Sequence, residues 1–170
     1  IGIWIYGCKK EAKHIKKKEL LEKIAPCSLM CHTCSAYEHG VISGAAKQLS
    51  KYIEGVYEFY EKHSPNELGR FKIFQEELAK YSEGKCSGCR NREHHGCSIK
   101  ECFIFDCTKE RHIDYCGECA EFPCDKTQKI FEEEVYQQWL KGNQEIKSFG
   151  IEGFWEKNCE KPHYKAYKEL

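Results

Sequence analysis

The sequence predicts a mainly α-helical fold with little or no sheet, in which a helical hairpin and C-terminal helices are organised around cysteine-rich metal-binding loops. Three observations predict it. Apolar residues recur at intervals of three and four from Val41 to Lys62 and again from Leu68 to Tyr81, which is the helical period. Apolar–polar alternation never persists past four residues, so no strand is indicated. Thirteen cysteines in 170 residues fall mostly in C-x2-C, C-x3-C or C-x4-C spacings, which suit ligation of a metal better than a disulfide framework.

The elements follow in order. Residues 1–25 read as a basic helical arm, because "KKEAKHIKKKELLEKIA" carries seven lysines against three glutamates over a ragged stripe of Ile15, Leu20, Leu21 and Ile24. Such a stripe is too poor to make the arm part of a core. Residues 26–170 read as one cysteine-rich domain. Within it, 38–84 form the hairpin. Its first helix turns Ile42, Ala45, Leu49, Ile53, Val56 and Tyr60 inward. Its second starts at "SPNE", with Ser64 as cap, Pro65 at the first helical position and Glu67 closing a capping box. Leu68, Phe71, Phe74, Leu78 and Tyr81 then face inward, up to Gly84. The cysteine-rich block occupies 85–124. Residues 125–170 hold a helix opened by Pro123, with Phe131, Val135 and Trp139 on one face and Gly142 as its stop, and then a shorter helix and an aromatic tail.

The sulfur falls into three groups: Cys27, Cys31 and Cys34; Cys86 and Cys89; and Cys97, Cys102, Cys107, Cys116, Cys119 and Cys124. A C-x2-C turn can aim both sulfurs at one ion, so Cys31/Cys34, Cys86/Cys89 and Cys116/Cys119 read as bidentate pairs. "CSGC" has its glycine where a tight thiolate turn wants one. Residues five apart on a helix diverge by about 140°. Cys97, Cys102 and Cys107 therefore lie in turns or serve different ions. Soft thiolates select zinc, with an iron–sulfur cluster as the alternative cofactor. Eleven clustered cysteines fall one short of three tetrahedral sites, and His94 or His95 is the expected twelfth donor among His32, His39, His94, His95 and His112. Cys8 and Cys159 stand outside the clusters and are read as non-ligands.

Taken together, "IAPCSLMCHTCSAY", the C-x2-C at Cys86, the "CGECAEFPC" run to Cys124 and the tail "NQEIKSFGIEGFWEKNCEKPHY" resemble the family called domain of unknown function 3795, small cysteine-rich proteins taken to bind zinc. The resemblance covers about residues 24–164. It implies metal-binding roles for Cys27, Cys31, Cys34, Cys86, Cys89, Cys102, Cys107, Cys116, Cys119 and Cys124, and no activity. The family usually has glycine after its first cysteine, where this chain has Ser28, a difference that bears on turn geometry and not on ligation.

Several function classes are disfavoured. Lys plus Arg equals Asp plus Glu, 27 each, so global charge gives no sign of a nucleic-acid partner. No apolar run approaches the roughly 20 residues of a membrane span, and a reducing, cytoplasmic setting is expected. The C-x3-C-x2-C of Cys27, Cys31 and Cys34 is also the cluster spacing of radical S-adenosylmethionine enzymes, but the strands of their barrel are missing. Ferredoxin spacing and a thioredoxin-like C-x2-C beside a sheet are missing too. No catalytic residue can be singled out. The expectation is a zinc protein whose metals are mainly structural and which displays a surface to a protein partner. The competing expectation is an iron–sulfur or zinc-dependent redox or catalytic protein with an open site at Cys27, Cys31 and Cys34, since three protein ligands and one open position mark catalytic zinc.

Overall fold

A computed structural model describes residues 15–91, 97 and 102–168. Among them the regular structure is helical, with isolated β-bridges and no strand. In chain order the helices are α1 (Lys17–Lys23), α2 (Val41–Tyr52), α3 (Val56–His63), α4 (Leu68–Glu83), α5 (Ile104–Glu110), α6 (Asp125–Gln128) and α7 (Glu133–Asn158), with 3-10 turns between them.

The described end of the basic arm is core. Leu20 and Ile24 are fully buried, one helical turn apart, against Tyr115, Ile146 and Trp155. Two apolar positions suffice for this because the remaining lysines and glutamates point outward, so the stripe is narrow without being weak.

The hairpin forms, but its inward face differs from the expected one. Residues at the close α2–α4 approach are small: Ser43 and Ala46 are buried, and Ser50 is half-buried beside Ser82. The Ser43 hydroxyl donates across to the Ser82 carbonyl at 3.0 Å. Small side chains let two helices approach closely, and the contact they favour leaves Ala45, Leu49, Phe74 and Tyr81 exposed. The first helix also breaks, at Ile53–Gly55, where Gly55 is left-handed. Ser64 makes no side-chain cap. Its carbonyl instead accepts from the Glu67 N–H at 2.9 Å, opening a 3-10 turn over Pro65–Glu67.

The C-terminal half also departs from the expected pattern. Pro123 follows a cis peptide and only the single turn of α6 comes after it. Gly142 does not stop a helix: it is buried midway along α7, which continues to Asn158 with one break at Gly150. Gly142 serves close approach, because a Cβ there would lie 2.4 Å from Ser28 Oγ. The helix α7 is the spine of the molecule. Trp139 packs with Ala25, Cys27, Ile104 and Phe131. Further along, Ile146, Ile151, Phe154 and Trp155 pack on α1.

Candidate metal centre

The first thiol group is assembled by backbone pairing of distant segments. Cys27 sits in a turn closed by the Ser28 N–H donating to Ala25 O at 2.8 Å and the Ala25 N–H donating to Leu29 O at 2.9 Å. Ser28 is left-handed, with φ 68°. This is a conformation that glycine adopts without cost and serine does not, so the turn depends on the hydrogen bonds of the Ser28 side chain. The Ser28 hydroxyl donates towards Trp139 O at 3.5 Å and accepts from the Asn143 amide at 3.0 Å. The segment 84–90 is brought alongside by the Lys85 and Cys86 N–H groups, which both donate to Ala36 O, and by the Glu38 N–H, which donates to Cys86 O.

Within "CSGC", Gly88 has φ 99°, and its N–H donates to Cys86 Sγ at 3.4 Å. Arg90 then pins the loop, donating from Nε to Leu21 O at 2.9 Å and from Nη2 to Asp114 O at 2.8 Å. As a result Cys31 hydrogen-bonds with Cys89 and lies within electrostatic reach of Cys27 and Cys86. Cys27 in turn feels Cys89, Cys102 and Cys116. Burial, then the neighbouring thiols, push Cys27 well above the ordinary thiol range, opposed by the Leu29 N–H. Cys31 is raised first by its hydrogen bond with Cys89 and then by burial. Burial also raises Cys102, although the N–H groups of Ile104 and Phe105, where α5 begins, favour its thiolate.

The second group is more local. Cys107, Cys116, Cys119 and Cys124 line one cavity of about 30 Å³, together with Phe122 and Trp139. One water-sized sphere needs roughly 10–15 Å³, so the cavity has room for a single small ion. Cys107 comes from α5, Cys116 opens the 3-10 turn Cys116–Glu118 and Cys119 follows it, and Cys124 precedes α6. Glu118 caps its own turn by accepting from the Asp114 and Tyr115 N–H groups. The Arg111 guanidinium donates to Cys119 Sγ at 3.4 Å and pairs with Glu121 at 2.8 Å. Burial pushes Cys116 up to about 12. The buried Trp139 indole N–H opposes this, favouring the thiolate, yet it has no hydrogen-bond partner at full geometry.

The two groups meet at Asn143, a fully buried amide on α7. Its Oδ1 accepts from the Gly117 N–H at 2.8 Å, while Nδ2 donates to Trp139 O at 2.8 Å, Ser28 Oγ at 3.0 Å and Cys27 O at 3.2 Å. The Cys116 N–H donates to Pro26 O at 3.0 Å beside it. Sequence reasoning missed Asn143, since a lone asparagine after a glycine gives no pattern.

The other expected donors are placed elsewhere. Cys34 Sγ lies 3.7 Å from Tyr164 Oη. Cys97 is half-buried, and the residues before and after it, with His94 and His95, lie outside the described residues. His32 packs on Trp155 with ring centroids 4.9 Å apart, and burial lowers it to about 4. His39 pairs with Glu38 at 3.3 Å. Cys159 is 2% exposed, in the core with Leu20, Ile24 and Trp155, and disulfide-bonded. Cys8 lies outside the described residues.

Among the described residues no group of three or more His, Cys, Asp or Glu side chains is placed to hold a metal ion as it stands. The donor chemistry nevertheless fits a soft divalent ion. Each group offers at least four thiols, and N–H donors such as Gly88 and Arg111 already address sulfur. The orphaned Trp139 N–H would gain in a Cys116 thiolate a far better acceptor than a thiol.

Among the described residues, no helix is long and apolar enough to cross a membrane. No curated protein and no solved structure matches the chain. Residues 23–129, which take in all eleven clustered cysteines, match the model of a family described as protein of unknown function (DUF3795), and the chain belongs to that family.

Proposed function

We propose that this is a zinc-binding protein whose metals are mainly structural. The observation that carries the reading is the small cavity shared by Cys107, Cys116, Cys119 and Cys124, because four thiols from three separate elements are the donor set of a closed structural zinc site. Four of Cys27, Cys31, Cys86, Cys89 and Cys102 would hold a second ion. Bound zinc supplies folding free energy, on the order of 10 kcal/mol in small modules. The surroundings of Cys27, Cys31, Cys102 and Cys116 favour their thiols, so these would give up protons as metal binds. Asn143 holds the Cys27 and Cys116 turns on one helix, and Arg111 stabilises charge on Cys119.

Metal analysis of the full chain purified without air tests the reading. The expected result is a colourless protein with about two zinc ions per chain. A brown protein absorbing near roughly 400 nm would establish the iron–sulfur alternative. A metal-free protein that melts cooperatively and does not change on adding zinc would sink both.

A further inference from the structure

The first thiol group joins two segments that are distant in sequence. Cys31 opens the 3-10 turn Cys31–Thr33, and Cys89 is the second cysteine of "CSGC", after α4. The whole hairpin, α2 to α4, lies between them. At its base the backbone holds the segments side by side: the Lys85 and Cys86 N–H groups donate to Ala36 O at 2.9 and 3.0 Å, and the Glu38 N–H donates to Cys86 O at 3.0 Å. Arg90 fastens the far side of the "CSGC" turn to Leu21 O and Asp114 O. On this frame Cys31 and Cys89 share a hydrogen bond.

Exposure and hydrogen bonding set these two sulfurs apart. Cys27 and Cys86 are buried, and Cys86 Sγ also accepts from the Gly88 N–H. Cys31 and Cys89 are half-buried, so the two sulfurs that touch are also within reach of a small solute. Cys102 is half-buried too, but N–H groups from Ile104 and Phe105 address its sulfur. In the second group Cys119 Sγ accepts from the Arg111 guanidinium, which Glu121 holds at 2.8 Å. A sulfur whose charge is stabilised in this way is a weaker nucleophile.

We propose that Cys31 and Cys89 are a dithiol–disulfide pair through which hydrogen peroxide releases zinc from the first thiol group. The proposal rests on the zinc reading above, and it places both cysteines among the four ligands of that site. Bound zinc holds both sulfurs as thiolates, the nucleophilic form. One thiolate attacks the peroxide. The O–O bond breaks, the sulfur takes one oxygen as a sulfenic acid, and hydroxide leaves. The other thiolate attacks that sulfur, the S–S bond forms, and a second hydroxide leaves. Two thiolates and one peroxide thus give one disulfide and two hydroxides, with two electrons passing from the sulfurs to the peroxide oxygens. Stripped of two of its four donors, the ion dissociates, and the new bond closes the base of the hairpin.

Treating the zinc-loaded full chain with hydrogen peroxide tests this, read by zinc release to a chromogenic chelator and by peptide mapping of disulfides after the remaining thiols are alkylated. At about one equivalent of peroxide the map should show a Cys31–Cys89 disulfide, and zinc should fall from about two ions per chain to about one. Dithiothreitol and added zinc should restore the starting state. In Cys89→Ser the other four thiols of the group can still hold an ion, and peroxide should release it at least about tenfold more slowly. If that variant does not fold, the map of the wild-type protein decides alone. Zinc release with no Cys31–Cys89 bond, another disulfide such as Cys89–Cys102 or Cys116–Cys119 forming first, or an unchanged release rate in folded Cys89→Ser would overturn the proposal. A zinc protein that keeps both ions and both thiols under peroxide sinks this proposal alone, whereas a chain that binds no zinc sinks it together with the zinc reading.

Discussion

The hairpin and the spine helix use their apolar residues in opposite ways. Across α2, α3 and α4 the only buried side chains are Ser43, Ala46 and Leu78, and α3 buries none. The same stretch exposes Val41, Leu49, Tyr52, Phe59, Ile73, Phe74 and Tyr81. The helix α7 has a weaker apolar pattern yet buries both Trp139 and Trp155. The difference teaches that strong periodicity marks local helix formation, whereas burial here is decided by where the cysteine turns dock. The thiol-bearing turns lie on α7 and α1, and the hairpin is tied to them at its ends, where Ala36 and Glu38 pair with Lys85 and Cys86.

The largest effect that would sharpen this contrast belongs to the second thiol group. Cys116→Ser takes one donor from a site proposed to contribute on the order of 10 kcal/mol. That is comparable to the whole stability of a domain, about 5–15 kcal/mol. The variant should lose one zinc per chain and lose the near-UV signal of Trp139, while the far-UV signal of the hairpin helices falls less. Retained tryptophan ellipticity with the ion gone would make the site functional and not structural.

Next in size are two changes at the spine. Asn143→Leu strips partners from the Gly117 N–H and from the carbonyls of Cys27 and Trp139 in a fully buried place. It should cost about 2–5 kcal/mol in denaturant unfolding. Leu20→Ala should cost about 2–5 kcal/mol, although Leu20 lies in a lysine-rich segment. A loss under about 0.5 kcal/mol in Leu20→Ala would return the segment to the status of a detached arm.

These residues also show what the sequence made legible. The helical class, the hairpin and the left-handed glycine of "CSGC" follow from short-range pattern, and all three are present. The structure sets Cys102, within electrostatic reach of Cys89 and ahead of α5, apart from Cys107, which lies in α5 and shares a cavity with Cys116. What was illegible is non-local. The close α2–α4 contact chose serine and alanine because serine hydroxyls found partners across the interface, which no hydrophobic count registers. Gly142 looked like a terminator because only its neighbour Ser28, over a hundred residues away, reveals it as a contact point. The contact of Cys34 with Tyr164, 130 residues away, is likewise invisible to spacing.

A smaller effect is expected at Gly88. Its φ of 99° lies where a Cβ is strained, by about 1–2 kcal/mol, and the turn it makes aims an N–H at Cys86. Gly88→Ala should lower stability by about that amount and weaken zinc retention in a chelator competition, with far-UV ellipticity unchanged. Equal retention would show that Cys86 is outside the first metal set.

The smallest effect should be on the hairpin's outer face. Tyr52 is 73% exposed and Phe59 57% exposed, so replacing either with serine removes little buried area. Exposed substitutions away from special features usually fall within about 0.5 kcal/mol, and helix propensity changes little from tyrosine or phenylalanine to serine. Tyr52→Ser and Phe59→Ser should therefore leave the melting temperature nearly unchanged, in contrast to any change on α7. A drop of several degrees would break the comparison, because it would mean that these side chains are covered in solution. Repeating the melt over a wide range of protein concentration would then identify the cover: a midpoint that rises with concentration in the wild type but not in the variants assigns it to a second copy of the chain.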